Sequence, residues 1–246
     1  MIINTPAIVL RCVDFKESSK IVTLLTPEHG KVGVMVRGAR KPKSRFSGYF
    51  ETGNVLDVVL YLKSTRSVQN IQEVNFRSKN WNVRTDFSKL AIVMALIEML
   101  DGLVHAAESA SEMYDLAEKM IIWINDTNED MVNVFPYIQI RLADASGIGI
   151  QVQDDTANEN NQSMFLNVED GMVTSEPGVG LSFKLTPLQA NYLRLSILSK
   201  KSEMFRNGIS KNEIKMLIRH LDVYLKHHID GLRDRRSDVI FDQLLL

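Results

Sequence analysis

One short stretch of the chain concentrates positive charge where there are few apolar residues. Residues 37–45, with the sequence R-G-A-R-K-P-K-S-R, hold five cations within nine positions. A loop with so little apolar content cannot bury itself, so we expect a mobile arm whose charges are free for a partner. Nucleic-acid-binding proteins use such cations to hold phosphates. The alternative is a solvated run of charges that binds nothing.

A predicted β-hairpin leads into this arm. Residues 21–25 form the first strand, and residues 31–37 form the second, in which valines alternate with other residues. Between the strands, Pro27 fixes one backbone angle and Gly30 tolerates a positive φ, as a tight turn requires. Gly38 then ends the second strand. The hairpin would therefore fix where the arm begins.

The first 80 residues as a whole have the pattern of a small β domain. Three further strands are predicted, over residues 7–15, 54–62 and 67–76. Five short strands in this length suit a five-stranded OB-fold barrel, which binds oligonucleotides, although a small sandwich fits nearly as well. Three aromatic residues follow the arm and are candidates either for stacking on bases or for the barrel core: Phe46, Tyr49 and Phe50.

From Trp81 onwards the apolar residues recur with helical spacing. Helices are predicted over residues 86–100 and 111–124, and a third over residues 132–145, which Pro136 could instead begin. Residues 147–185 form a polar, loop-rich insert that contains one hairpin, with its turn at residues 169–171. Two more helices follow, capped by Thr186 and Ser210. The predicted fold class is α+β, with a barrel domain at residues 1–80 and a helical domain at residues 81–246.

Charge is distributed very unevenly along the chain. The net charge is +7 for residues 1–80, −12 for residues 81–185 and +4 for residues 186–246. A basic head on an acidic middle indicates an anionic partner for the head. We expect that partner to avoid the acidic helices.

The sequence contains no recognisable catalytic or metal-binding motif. Phosphate-binding glycine motifs, H-E-x-x-H and G-x-S-x-G are all missing, so we predict a protein that is not an enzyme and has no cofactor. Cys12 is the only cysteine, which excludes a cysteine zinc site and a disulfide within the chain. No signal peptide or membrane-spanning run is present, and the simplest compartment is the cytoplasm.

Residues 7–45 resemble the N-terminal signature of the bacterial RecO family of DNA repair proteins. The shared features are a first strand, a small polar turn, T-x-x-x-G-K, a valine-rich strand, R-G-x-R and a basic loop that ends in Ser-Arg. The ending L-R-D-R-R-S-D-V-I-F-D-Q-L-L also resembles the family's closing segment. Many members carry a four-cysteine zinc element after the third helix. Residues 147–185 contain no cysteine, so this chain resembles the branch without zinc.

The resemblance implies a recombination mediator associated with the nucleoid. Such proteins bind single- and double-stranded DNA, anneal complementary strands and work with RecR. Together they help load RecA on DNA coated by single-stranded DNA-binding protein, whose acidic tail many members contact. Arg141, a lone cation amid acidic residues, is the position we assign to that tail, with a structural ion pair as the alternative. The DNA-binding residues that the resemblance implies are Arg37, Arg40, Lys41, Lys43 and Arg45, with Lys20, Lys31 and Tyr49 as additions.

Two other classes of function remain open from the sequence. One is an RNA-binding OB-fold module. The other is a protein-interaction scaffold whose basic arm meets only an acidic protein. A comparison of binding to single-stranded DNA, to RNA and to an acidic peptide ending in Phe would separate these classes.

Overall fold

Five strands at the start of the chain close into a barrel. The structure is a computed structural model that describes residues 1–63, 65–106, 108–152, 164–198, 205 and 208–237. Around the barrel the strand order is β1-β2-β3-β5-β4, and β4 pairs with β1. The predicted five-stranded barrel is therefore confirmed, and the alternative of a sandwich is wrong. The strands are β1 (Ile2–Phe15), β2 (Ser19–Thr26), β3 (Gly30–Val36), β4 (Val55–Tyr61) and β5 (Val68–Ser78).

The first strand, β1, is long enough to pair with two neighbours. Its residues 2–8 pair antiparallel with β4 and its residues 8–15 pair with β2. The register shifts between Val9 and Arg11, and an irregularity of this kind bends a strand. The apolar pattern predicted a start at residue 7, which is too late. Asn4, Thr5 and Pro6 carry little strand signal of their own, and pairing with β4 orders them.

Apolar side chains from all five strands fill the barrel. In β3 the predicted alternation is confirmed, since Val32, Val34 and Val36 are buried and the residues between them are partly exposed. β3 also pairs in parallel with β5, from Gly33 opposite Val68. Because β1 and β3 are both antiparallel to β2, the strands β1, β3 and β5 all end at one end of the barrel. The arm leaves from this end, which we call the arm end; the opposite one is the far end.

Three helices pack with the barrel in the first of two compact units. This unit comprises Met1–Thr127 and Arg235–Ser237. Asp86 caps α2, since its carboxylate accepts hydrogen bonds from the backbone of Ser88 and Lys89 at 2.9 and 3.1 Å, as predicted. Arg77 of β5 bonds Glu118 of α3 at 2.6 Å. The helices are α1 (Trp81–Thr85), α2 (Phe87–Leu103) and α3 (Ser111–Asp126).

The last residues of the first unit come from near the end of the chain. Ser237 is buried, and both its backbone N–H and its hydroxyl donate to a carboxylate oxygen of Glu98 in α2, at 3.0 and 2.8 Å. The chain therefore leaves the first unit after α3 and comes back to it much later. We call residues 235–237 the return segment.

The second unit, which includes Asn128–Asp234, combines helices with a small sheet. Its helices are α4 (Met131–Ala145), α5 (Pro187–Leu198) and α6 (Lys211–His228), and Pro136 lies inside α4 and does not begin it. The sheet has the order β6-β8-β7-β9, so the predicted hairpin is only its β7–β8 part. Its strands are β6 (Gln151–Val152), β7 (Met164–Asn167), β8 (Met172–Thr174) and β9 (Ser182–Leu185).

Two ways of dividing the chain follow different features. The division at residue 80 that we expect from the sequence follows the change from strands to helices. Packing divides the chain after Thr127 instead, since α1, α2 and α3 belong to the compact unit of the barrel. Across the described ranges, no helix is both long enough and apolar enough to span a bilayer.

Candidate nucleic-acid interface

The arm begins where β3 ends, beside the turn that joins β1 to β2. Its backbone makes successive turns, with the Lys41 N–H donating to Gly38 at 3.2 Å and the Ser44 N–H donating to Lys41 at 3.0 Å. Ala39 packs against the barrel core. The arm therefore has a defined path, which differs from the expected loop with nothing to pack.

Arg40 fastens the arm to the β1–β2 turn. Its guanidinium donates to the Lys16 carbonyl at 2.8 Å and pairs with Asp14 at 3.2 Å, and its backbone N–H donates to the Ser18 carbonyl at 3.1 Å. Both partners of the side chain precede it by more than twenty residues, so no local pattern predicts them. Arg40 is thus an anchor of the arm as well as one of its charges.

Three arm cations are exposed and uncommitted. Within the described ranges, the side chains of Arg37, Lys41 and Lys43 make no hydrogen bond or ion pair. Lys43 also has a φ of +61°, in the left-handed region that few residues other than glycine adopt. Because no described residue neutralises these charges, they are available to an external anion.

Arg45 lies at the end of the arm, over β5. Its guanidinium donates to the Gln72 carbonyl at 3.4 Å and stands 4.7 Å from the centre of the Phe46 ring. A cation over an aromatic face is held weakly when it is exposed, so the charge of Arg45 remains accessible. The arm therefore offers the charge of Arg45 next to an aromatic residue.

The aromatic residues after the arm belong to the barrel rather than to an open stacking platform. Phe50 is a buried core residue, and Phe46 and Tyr49 pack partly buried against the same core. Tyr49 stacks on Phe76 of β5 with ring centres 4.5 Å apart. One face of Tyr49 is therefore already covered, and the core alternative describes Phe50 correctly.

Lys20 and Asp14 add to the charge balance of the arm end. Lys20, the second residue of β2, stands 3.9 Å from the Asp14 carboxylate, which Arg40 also approaches. Burial raises the pKa of the nearby Cys12 thiol, so that group stays neutral and brings no negative charge. Lys20 therefore lies close enough to act with the arm, with Asp14 as their shared competitor.

Lys31 lies away from the arm. It is the second residue of β3, whereas the arm follows the last, so the two are separated by about 20 Å at the usual rise of a strand. Its ammonium donates to the Asp101 carbonyl of α2 at 2.7 Å and stands 3.5 Å from the Asp101 carboxylate. The structure thus brings Lys20 together with the arm and places Lys31 at the far end.

Arg141 belongs to α4 in the second unit. Its guanidinium pairs with Asp144 at 3.2 Å, one helical turn later, and its side chain is 19% exposed. The ion pair that we considered as an alternative is therefore present. An acidic peptide at this position would have to compete with Asp144.

One basic residue at the arm end was not among the DNA-binding residues predicted from the sequence. Lys16 sits in the β1–β2 turn with a φ of +53°, and it lines a shallow hollow together with Ser18 and Arg40. A cation in a polar turn was the available signal. The sequence does not show that this turn lies beside the arm, because only the folded barrel brings Lys16 and Arg40 together.

Metal ligands are not grouped anywhere in the described ranges. No three residues of the His, Cys, Asp and Glu types come together there in a way that could hold an ion. Of the histidines near the end of α6, His227 pairs with Glu169 at 3.3 Å and His228 contacts the Val168 carbonyl at 2.7 Å. These contacts give both side chains structural partners.

A closed five-stranded barrel with a basic end, followed by helices, defines an α+β protein of the OB-fold class. The family model "Recombination protein O N terminal" matches residues 1–79, and "Recombination protein O C terminal" matches residues 84–238. The chain belongs to this family, RecO.

Similar proteins from several bacteria support the family assignment. The chain is 30% identical to a protein named DNA repair protein RecO from Chloroherpeton thalassium, over the full length of both chains. It is 31% identical to one from Salinibacter ruber, over 72% of this chain and 68% of that protein. A third, from an Exiguobacterium species, is 26% identical over all of this chain and 97% of that protein.

Proposed function

We propose that this chain, as a member of a DNA repair and recombination family, is a recombination mediator. It binds single- and double-stranded DNA, anneals complementary strands and, with RecR, helps load RecA on DNA coated by single-stranded DNA-binding protein. The observation that carries the proposal is the group of uncommitted cations at the arm end of the barrel, namely Arg37, Lys41 and Lys43. The protein would carry out these activities at the nucleoid.

The mechanism is electrostatic and needs no covalent chemistry. Phosphate contacts release counterions and hold a strand without reading its sequence, which suits a protein that must act on any broken DNA. Two complementary strands repel each other through their phosphates. Cations that neutralise part of this charge lower the repulsion, and the base pairs then form by themselves. No cofactor is required for such an activity.

An annealing assay with two arm variants tests the proposal. Complementary labelled strands are mixed with the wild-type protein or with Arg37→Ala/Lys41→Ala/Lys43→Ala. If each cation holds one phosphate of a single strand, the triple variant loses about 2 from the log–log slope of binding against salt, at about 0.7 per contact. Annealing should fall in parallel, and stability should change by no more than about 0.5 kcal/mol because the positions are exposed.

Arg40→Ala is the comparison variant. It removes one charge and also the anchor to Lys16 and Asp14. We expect a smaller change in slope than in the triple variant but a measurable fall in the melting temperature. If the wild-type protein fails to bind and anneal DNA, the proposed function is wrong. If the wild-type protein binds DNA and the triple variant has the same salt slope, the DNA-binding site lies outside these three residues.

The competing functions are separated by ligand choice. An RNA-binding module would prefer an RNA oligonucleotide over DNA of the same sequence at the same salt concentration. A scaffold would bind an acidic peptide ending in Phe through the arm, and the triple variant would lose that peptide as well. A recombination mediator would bind DNA through the arm more tightly than it binds RNA or the acidic peptide.

The acidic tail of single-stranded DNA-binding protein is assigned to Arg141. Asp144 already forms an ion pair with the Arg141 guanidinium, so a carboxylate of the tail must compete with the Asp144 carboxylate. We expect Arg141→Ala to weaken binding of the tail peptide and Asp144→Asn to strengthen it, as measured by fluorescence anisotropy. If both variants bind the peptide as the wild-type protein does, the ion pair is purely structural.

A further inference from the structure

The far end of the barrel contains a second basic site, away from the arm. A cleft of about 910 Å³ opens there between the first residue of the chain, the start of β3 and the loop between β4 and β5. We call it the far cleft. No acidic residue is among the described residues that line it, whereas Lys31, Lys63 and Arg66 are, together with Met1, whose amino group donates to the Leu62 carbonyl at 2.9 Å.

The most accessible of these cations belong to the loop between β4 and β5. Lys63 and Arg66 are both exposed. The ammonium of Lys63 stands 5.4 Å from the centre of the Tyr61 ring, and the side chain of Arg66 makes no hydrogen bond or ion pair within the described ranges. Lys31 is less available, because Asp101 holds it. Lys63 and Arg66 are therefore the charges that an external anion would meet first.

A buried side-chain amide holds the backbone of Lys63 and Arg66 in place. Gln69 is 9% exposed. Its side-chain oxygen accepts from the Lys63 N–H at 2.8 Å, and its amide nitrogen donates to the carbonyls of Lys63 and Arg66 at 3.1 and 2.7 Å. Both residues that carry the charges thus have their backbone fixed by one side chain. A site arranged in advance loses less entropy when a ligand binds.

We propose that the far cleft binds the phosphates of a second nucleic-acid strand while the arm holds the first. This inference rests on the proposed function. The cleft combines separate cations with an aromatic ring, Tyr61, and apolar atoms of Val32 and Leu62, which suits a chain of phosphates with bases and sugars. The arm and the cleft lie at opposite ends of β3, about 20 Å apart, so two strands have room to bind together.

Nucleic acid fits the far cleft better than an extended peptide. Peptides that bind a sheet usually add a strand to a free edge. The barrel is closed, and the backbone N–H of Leu62 is already paired with the Met1 carbonyl at 2.8 Å. Backbone groups of Lys63 are taken by Gln69. What remains accessible is side-chain charge, which matches repeated phosphates.

Two strands held on one barrel would also explain how annealing is accelerated. Strands bound by the same molecule meet at the effective concentration that their separation sets, rather than at their concentration in solution. Each site neutralises part of the charge of its own strand. The arm alone would bind DNA but would bring together only strands held by different molecules.

The test uses energy transfer between two oligonucleotides on the full-length protein. Two short oligothymidylates, which cannot pair with each other, carry a donor and an acceptor dye. With wild-type protein we expect energy transfer, because both bind one chain. In Lys63→Ala/Arg66→Ala the transfer should be lost and annealing should slow, while the first oligonucleotide still binds. The slope of the second binding step should decrease by about 1.4 for two lost phosphate contacts.

A matched control removes two exposed lysines that do not line the far cleft. Lys79→Ala/Lys119→Ala changes the net charge equally and should leave energy transfer and annealing at wild-type levels. The charge-preserving variant Lys63→Arg/Arg66→Lys should restore the energy transfer. Circular dichroism and sedimentation of every variant establish that fold and oligomeric state are unchanged.

Three results would overturn the second site. One is energy transfer that survives in Lys63→Ala/Arg66→Ala. Another is an equal loss in the Lys79→Ala/Lys119→Ala control, which would make the effect one of overall charge. The third is an acidic peptide that binds the wild-type protein and is lost in the cleft variant while both oligonucleotides remain. If the wild-type protein binds no DNA at all, the proposed function itself is wrong.

Discussion

Asp14 determines how much of the charge at the arm end an anion can use. Its carboxylate is the shared partner of Arg40 and Lys20, at 3.2 and 3.9 Å, and its side chain is 58% exposed. A phosphate that approaches the arm must compete with it. We therefore predict that Asp14→Asn raises the affinity for single-stranded DNA and makes the salt slope steeper by up to about 0.7 per cation released.

Stability should respond much less than DNA binding to this change. Exposed ion pairs contribute about 0.2–1 kcal/mol, and Arg40 keeps its bond to the Lys16 carbonyl. Asp57→Asn is the matched control, because Asp57 pairs with Arg77, which is not one of the arm cations. Anisotropy titrations at several salt concentrations measure both variants. Tighter binding by the two variants alike would show a general charge effect.

His220 gives the second unit a dependence on pH. Its ring stacks on Phe183 with centres 4.2 Å apart, its Nδ1 is buried without a hydrogen bond within the described ranges, and burial lowers the pKa of the imidazole below its ordinary 6.5. The folded state then binds a proton less readily than the unfolded state. Stability is complete above pH 6.5 and decreases as the pH falls below it, by at most about 1.4 kcal/mol per pH unit.

Replacing His220 with Phe tests this prediction. Phe keeps a ring against Phe183 but cannot take up a proton, so stability should vary less with pH below 6.5. Urea unfolding followed by far-ultraviolet circular dichroism measures the difference across a pH series. Equal curves for the two proteins would show that other groups cause the acid sensitivity.

The positions of charge could be read from the sequence, but their partners could not. Composition alone places the cations of residues 37–45 in one exposed segment. It does not show that Arg40 is tied to Asp14, or that Lys31 faces Asp101 at the other end of β3, since these pairs are 26 and 70 residues apart. Only strand pairing brings such residues together, and pairing depends on the whole barrel.

At the scale of elements, the start of α6 joins two helices through one carboxylate. Ser210 and Glu213 form a capping box, as the sequence predicted in part from Ser210. Glu213 also accepts from the Thr186 hydroxyl at 2.8 Å, and its backbone carbonyl accepts from Gln189 at the start of α5. This single residue thus connects the beginnings of α5 and α6.

We predict that Ser210→Ala lowers stability by about 1 kcal/mol, the usual contribution of an N-cap.

The hydroxyl of Thr186, followed by the Ser210 cap, lowers the pKa of Glu213 from its ordinary 4.5. The resulting stabilisation is present above pH 4.5 and is lost as the pH falls through the lowered pKa. In Glu213→Gln this acid-side loss should disappear. Hydrogen exchange of α6 measures both effects, and unchanged exchange in Ser210→Ala would contradict them.

Strong periodicity predicted most elements, and weak periodicity hid the others. Four of the barrel strands and the helices α2, α3, α4 and α6 have a clear apolar pattern, whereas β5 is less regular and α5 was predicted from Thr186 and Pro187 at its start. β6 has two residues and β9 only four, too few for alternation to be recognised. β9 becomes a strand because it pairs with β7 from Leu185 opposite Met164 to Ser182 opposite Asn167. Such short strands depend on their neighbours rather than on their own residues.

At the scale of the whole molecule, the return segment stabilises the barrel unit from far along the chain. Ser237 donates twice to Glu98, and bonds to a charged group are each worth about 1.5–3 kcal/mol. Ser237→Ala removes the hydroxyl bond and leaves the backbone bond. We predict a loss of about 1.5 kcal/mol in the first unit.

The two tryptophans make this loss easy to follow. Trp81 and Trp123 are the only ones in the chain, and both lie in the first unit. Urea unfolding monitored by tryptophan fluorescence should therefore show a lower midpoint for Ser237→Ala. Ser111→Ala, at an exposed hydroxyl that bonds the Pro27 carbonyl, is the control and should change it less. A midpoint equal to that of the wild-type protein would mean that the return segment contributes nothing.

The return segment also means that one stabilising contact of the barrel unit forms late during synthesis of the chain. Ribosomes add about 5–20 residues per second, so the roughly 110 residues between Thr127 and Ser237 take about 5–20 seconds. Throughout that interval the barrel and α2 have been synthesised, but Ser237, the hydrogen-bond donor to Glu98, has not. A nascent chain that stops within the second unit therefore has the barrel and α2 without the hydrogen bonds from Ser237. The two hydrogen bonds from Ser237 to Glu98 can form only after all of Asn128–Asp234 has been synthesised.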